Sequence, residues 1–194
     1  MVLYKEVRDD ISLLTDSEVE EMLAMLPEWR KAQINGYRSV SRKREAVIAS
    51  TMLMNMLKRH FGITILPEFE IGEHGKPSLK GFTDIHFNIS HCSKAVCCAV
   101  SDAPIGIDIE GLGRYKETLA RHCMNDEEMS TILSAYSPDT EFTRLWTQKE
   151  AILKLTGEGI TTDMRTVMSS HTNVNVTTEL NEDAGFAISI ATYK

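Results

Sequence analysis

Six consecutive apolar residues, Ala95-Val96-Cys97-Cys98-Ala99-Val100, constrain the fold of this chain more than any other stretch. A strand sends successive side chains to opposite faces, so such a run is stable only where both faces are covered. It predicts a central strand over 95–101 with packed layers on either side. Ser101-Asp102-Ala103-Pro104 follows as a natural seam, and Ile105-Gly106-Ile107-Asp108-Ile109-Glu110 then alternates strictly. There the isoleucines take one face, and Gly106, Asp108 and Glu110 the other.

Around these strands the elements run twice from helices to strands. Thr15 with Glu18 three residues on predicts a capped helix start, the helix reaching about Gln33. A second helix is expected over 42–61, stopping at Gly62, then strands over 64–71 and 85–90. Past the seam, one helical segment follows Gly113, and another, capped by Asn125 or Asp126, reaches about Tyr136. A longer helix runs from Pro138 to just before Gly157. Strands over 165–169, 174–179 and 186–192 complete the chain. The expected class is α+β, in two similar halves.

Composition narrows the function. With 194 residues, 42% apolar and 25% charged, the chain is long enough for one good core or two small packed ones. A net charge of −7 disfavours a general nucleic-acid or anionic-membrane role. No apolar run approaches the roughly 18 residues of a membrane span. Residues 1–6 lack the basic segment and apolar core of a signal peptide, so a cytoplasmic location is expected. The four cysteines form no CxxC pair and read as small buried hydrophobes in a reducing compartment. Cys92, beside His91, lacks the pattern that would activate a nucleophile.

Several residues carry possible chemistry. Asp108 and Glu110 stand about 6.6–7 Å apart along one strand face. With a third ligand from elsewhere they would suit a magnesium-type cation; alone, they read as the solvated acids of a half-buried strand. On the helix from Pro138, Phe142, Leu145, Trp146, Ile152 and Leu153 form an apolar stripe with Lys149 near its middle. A lone buried ammonium is costly, so Lys149 either snorkels out or meets an anion. Glu150 and Lys154, four apart on the rim, form either a surface ion pair or part of a site. The turn His74-Gly75-Lys76-Pro77 offers a mobile positive charge, and Ser90 and His91 offer donors at a strand end. Arg38, Arg42, Lys43 and Arg44 gather at a helix start, where basic charge opposes the helix dipole and hints at a bound anion.

The order of these motifs is more specific than any one of them. Gly75-Lys76-Pro77, then Phe87-Asn88-Ile89-Ser90-His91, then Ile105 to Glu110, then Trp146-Thr147-Gln148-Lys149-Glu150-Ala151 with Lys154, resembles the phosphopantetheinyl transferase superfamily in its surfactin-synthetase-activating, pseudo-dimeric branch. The dense matches cover about 80 residues. The resemblance implies two similar α+β halves, 1–102 and 103–194, with the active site in the cleft between them. It implies transfer of the phosphopantetheine arm of coenzyme A to a serine of a carrier protein, in a monomer that uses magnesium. Asp108, Glu110 and Glu150 match the metal carboxylates, and Glu150 and Lys154 the catalytic pair. Arg44, Gly75, Lys76, Pro77, Ser90 and His91 fall on coenzyme A positions, and Lys149 in the matched helix is assigned to the same ligand. The pattern departs at Trp29, where a lysine is common, and at Glu45, where a small hydroxyl residue is common. Arg30, Lys31, Met124 and Met129 are candidate carrier contacts. The competing expectations are a degenerate coenzyme A or carrier-binding module, a metal-dependent phosphohydrolase, and an interaction domain.

Overall fold

The computed structural model describes residues 1–159 and 163–194. The chain opens with a strand the sequence pattern did not predict, β1 (Leu3–Arg8). Helix α1 (Asp16–Met25) starts at Thr15, whose hydroxyl accepts from the Glu18 amide while Glu18 reaches back to the cap. The helix expected to reach Gln33 is in fact two. Leu26 is extended (φ −76°, ψ 154°), as a residue before proline prefers, and α2 (Glu28–Asn35) starts afresh after Pro27. Helix α3 (Val40–Phe61) is capped by Ser39 and ends at Gly62, whose φ of 71° suits glycine.

Two short strands follow, β2 (Phe69–Ile71) and β3 (Pro77–Leu79), paired antiparallel. Only the last three residues of the expected 64–71 strand are therefore paired. Between them Gly75 turns at φ +85°. Strands β4 (His86–His91) and β5 (Val96–Ser101) then join β1 in an antiparallel sheet of order β1-β5-β4.

Beyond the seam lie β6 (Ile105–Gly111), α4 (Glu117–Cys123), α5 (Asp126–Ser134) and α6 (Pro138–Thr156). Asn125 and Glu128 form a reciprocal cap on α5. Helix α6 repeats the grammar of α3, with a serine cap (Ser137) and a left-handed glycine end (Gly157, φ 79°). Where a strand was expected over 165–169, the chain forms the short helix α7 (Val167–Ser170). Asp163 accepts from the Arg165 amide and the Thr166 hydroxyl, and these local bonds close a turn instead of leaving the backbone extended. Strands β7 (Val174–Asn181) and β8 (Phe186–Tyr193) complete a second antiparallel sheet, β6-β8-β7.

The class is α+β, and each sheet draws its strands from one side of the seam. Strand β5 explains why its sequence is apolar throughout. Val96, Cys98 and Val100 face the core built on α3, whereas Ala95, Cys97 and Ala99 face Ile105, Ile107, Ile109, Phe186 and Ile188. One strand thus belongs to two cores, and the second core fuses the sheets. Among the described residues no helix is long and apolar enough to cross a membrane.

Candidate active site

Strand β6 spends its isoleucines on the shared core and turns its other face to α6. Gly106 governs that contact. A Cβ there would lie 2.0 Å from the Ala151 carbonyl oxygen and 2.5 Å from the Leu155 nitrogen, so the helix backbone rests directly on the strand. This approach brings the last turns of α6 over Asp108. The Lys154 ammonium donates to Asp108 Oδ1 (2.6 Å) and to Ser90 Oγ (2.7 Å), and the Ser90 hydroxyl donates to the same Oδ1 (2.8 Å). Three elements, β4, β6 and α6, meet in this triangle. Asn88, two residues before Ser90 on the same face, accepts from the Ile107 amide (2.8 Å) and fixes β4 against β6.

Asp108 is only 4% exposed, so the reading of the strand as a solvated acidic face does not hold. Its second oxygen, Oδ2, is buried without a partner. Glu150 stands one helical turn before Lys154, also buried. Burial pushes its carboxyl above the ordinary range, and the charges of Asp108 and, more weakly, Glu110 push the same way against Lys154. Glu110 is held by Arg114 four residues on. Among the described residues no three His, Cys, Asp or Glu side chains already stand as a ligand cluster, because Asp108 is turned to Lys154 and Glu110 to Arg114. The donor set nevertheless fits a hard cation. It consists of carboxylate oxygens alone, one of them buried and unpaired, with Glu150 in electrostatic contact with both neighbours.

A crevice of ≈ 290 Å³ opens between Gly75-Lys76-Pro77 on one side and Glu150, Lys154 and Gly157 on the other, with Asn88 and Ile89 along it. A larger hollow of ≈ 470 Å³ adjoins it across Lys76 and Pro77 and is lined by His86 and Phe87. Lys76 donates to the carbonyls of Ile105 (3.2 Å) and Leu155 (3.0 Å), and burial lowers its ammonium to about 8.

The sequence-predicted residues therefore divide. Gly75, Lys76, Pro77, Glu150 and Lys154 line the crevice, and Ser90 and Asp108 bond Lys154 behind it. Arg44 instead donates to the carbonyls of Ile11 and Leu14 and pairs with Asp16. His91, half exposed, lies 3.4 Å from Glu45. Lys149 is wholly enclosed: its ammonium bonds Glu128, the Cys123 carbonyl and the Met164 carbonyl, so it does not reach the crevice. The candidate carrier contacts fare similarly. Met124 and Met129 are core residues, and Arg30 is buried against Ser50 and the Phe69 ring, while Lys31 pairs with Glu28. Three cysteines are buried, and Cys97, near Lys154 and Asp108, has its thiol pushed up to about 12 by burial, which leaves it inert as a nucleophile. Asn88 and Glu128 were not singled out in advance. Asn88 lies within the motif Phe87 to His91, whereas the one sequence signal that could have found Glu128 is its place three residues after Asn125.

Residues 104–193 match the model of the 4'-phosphopantetheinyl transferase superfamily. The chain is 29% identical to the 4'-phosphopantetheinyl transferase psf-1 of Bacillus pumilus over 146 residues, covering 74% of this chain and 63% of that protein. It is 25% identical to the 4'-phosphopantetheinyl transferase Sfp of Bacillus subtilis (strain 168) over 150 residues, with 76% and 67% covered. It is 30% identical to the 4'-phosphopantetheinyl transferase HetI of a Nostoc species over 156 residues, with 75% and 65% covered. The chain thus spans about two thirds of the length of these curated relatives.

Proposed function

The chain belongs to the 4'-phosphopantetheinyl transferase superfamily, and on that premise we propose that it moves the phosphopantetheine arm of coenzyme A onto a serine of an acyl or peptidyl carrier protein. The observation that carries this reading is the meeting of Ser90, Asp108 and Lys154 beside Glu150, at a crevice whose far wall is Lys76. The serine hydroxyl attacks the β-phosphorus of the coenzyme A pyrophosphate. The new P–O bond forms as the bridging P–O bond breaks, and adenosine 3',5'-bisphosphate leaves with the electron pair.

Glu150 accepts the serine proton, and its raised pKa makes it a better base than an ordinary carboxylate. Lys154, held in place by Asp108 and Ser90, neutralises charge that develops on the phosphates. Lys76, in the turn shaped by Gly75 and Pro77, meets the pyrophosphate across the crevice. Magnesium would be held by Asp108, Glu110 and Glu150 and would supply neutralisation of phosphate charge. Arg44 and His91 would reach the nucleotide end only by leaving their present partners. The two halves, 1–102 and 103–194, form the pseudo-dimer in this reading, and the protein works as a cytoplasmic monomer.

The test is intact-mass measurement of several apo carrier proteins incubated with coenzyme A and magnesium. One carrier is expected to gain the phosphopantetheine mass, and Asp108→Ala or Glu150→Gln to abolish the gain while circular dichroism stays that of the parent. Undiminished transfer by folded Asp108→Ala protein would remove the metal assignment. Binding of coenzyme A without a mass gain on any carrier would leave a binding module.

A further inference from the structure

The buried pair Glu128–Lys149 lies outside the crevice, yet it adjoins the residue that the transfer reading places at its centre. Lys149 precedes Glu150 directly in α6 and is 0% exposed. An ammonium has three donors, and all three are used: Glu128 Oε2 at 2.6 Å, the Met164 carbonyl at 2.8 Å and the Cys123 carbonyl at 3.0 Å. The acceptors come from three places, namely the first turn of α5, the turn before α7 and the last residue of α4. Glu128 Oε2 also accepts from the Asn125 amide (2.8 Å), so the oxygen that caps α5 also ties α5 to α6.

Such a pair is a poor choice for stability alone. Apolar residues of similar volume would fill the space without desolvating two charges, and the other Glu128 oxygen is buried without a partner. What an apolar filling would not supply is direction. Three hydrogen bonds at fixed lengths set the rotation and height of α6 at the turn that presents Glu150 and, five residues after Lys149, Lys154. We propose that Glu128 and Lys149 are a positioning pair for transfer, holding α6 so that Glu150 and Lys154 stand in reacting geometry. This rests on the transferase reading and assigns Lys149 to the scaffold instead of to coenzyme A.

The experiment compares steady-state transfer by the parent, Lys149→Met, Glu128→Gln and the double variant, each with its folded fraction measured at the assay temperature. Both single variants are expected to lose on the order of 10- to 100-fold in kcat, the scale of a misplacement near 1 Å, with KM for coenzyme A little changed. The double variant is expected to lose no more than Lys149→Met, because the two act as one unit. If Lys149→Met does not fold, Glu128→Gln, which keeps the shape of the side chain, carries the comparison. Parent-like kcat per folded molecule would overturn the proposal, as would a rise in KM at constant kcat, which would return Lys149 to the ligand. A parent that transfers to no carrier would sink the transferase reading and this proposal together. An active parent with unaffected variants would sink the pair alone.

Discussion

Lys76 shows how one side chain ties pH to this fold. Its half-buried ammonium rests against two carbonyls, and its pKa falls from the ordinary 10.5 to about 8. Between those values the unfolded chain holds a proton that the folded chain has lost, so the contribution of Lys76 to stability rises with pH. Below about 8 both states carry the proton and the cost of burial is felt in full. Lys76→Met, which has no such proton, is expected to lose ground to the parent as pH rises from 8 to 10.5. Urea midpoints measured across that range check this, and a constant difference between the two proteins would contradict it. The same titration weakens any grip of Lys76 on phosphate in alkali. None of this was legible in Gly75-Lys76-Pro77, which announces a turn and a charge but not the carbonyls of Ile105 and Leu155, 29 and 79 residues away. Lys149 is similar: its place in an apolar stripe signals an anomaly, whereas its answer, Glu128, sits on another helix.

At the level of elements, the contact of β6 with α6 decides whether a site exists. Gly106→Ala would drive a methyl into helix backbone, which cannot swing aside as a side chain can. The expected loss exceeds the ~1–3 kcal/mol of ordinary overpacking and is read as a lowered urea midpoint. Transfer should fall with it, since separating strand from helix parts Asp108 from Lys154. Parent-like stability would show that the strand and helix slide freely. Most elements here were legible because their ends are chemical: Thr15 with Glu18, Asn125 at the start of α5, Pro138 in the first turn of α6, and the glycines at 62 and 157. The failures have physical causes too. Strand β1 carries charged residues and exists because β5 offers it an edge. Pro27 outweighed helical periodicity on both sides of it. Over 165–169 the side chains of Asp163 and Thr166 outbid β propensity.

In the whole molecule, the acidic balance of −7 is compatible with the phosphate-handling role proposed for the crevice because the positive groups there are few and fixed. Specific placement substitutes for bulk charge. The sheets are not joined like beads, because β5 gives one face to each core. Ile105, Ile107 and Ile109 are essentially sealed from water, and burial of each stabilises the fold by roughly 1.5–3 kcal/mol. Cutting the chain between Asp102 and Ala103 would leave each fragment with an oily surface that only the other matches. Neither piece is then expected to stay soluble and folded on its own, but co-expressed pieces should reassemble and recover transfer without a covalent link. Two separately well-behaved fragments would mean that the isoleucine face is dispensable. Reassembly would make the seam a ready place to split the enzyme into a reporter that lights only when its parts are brought together.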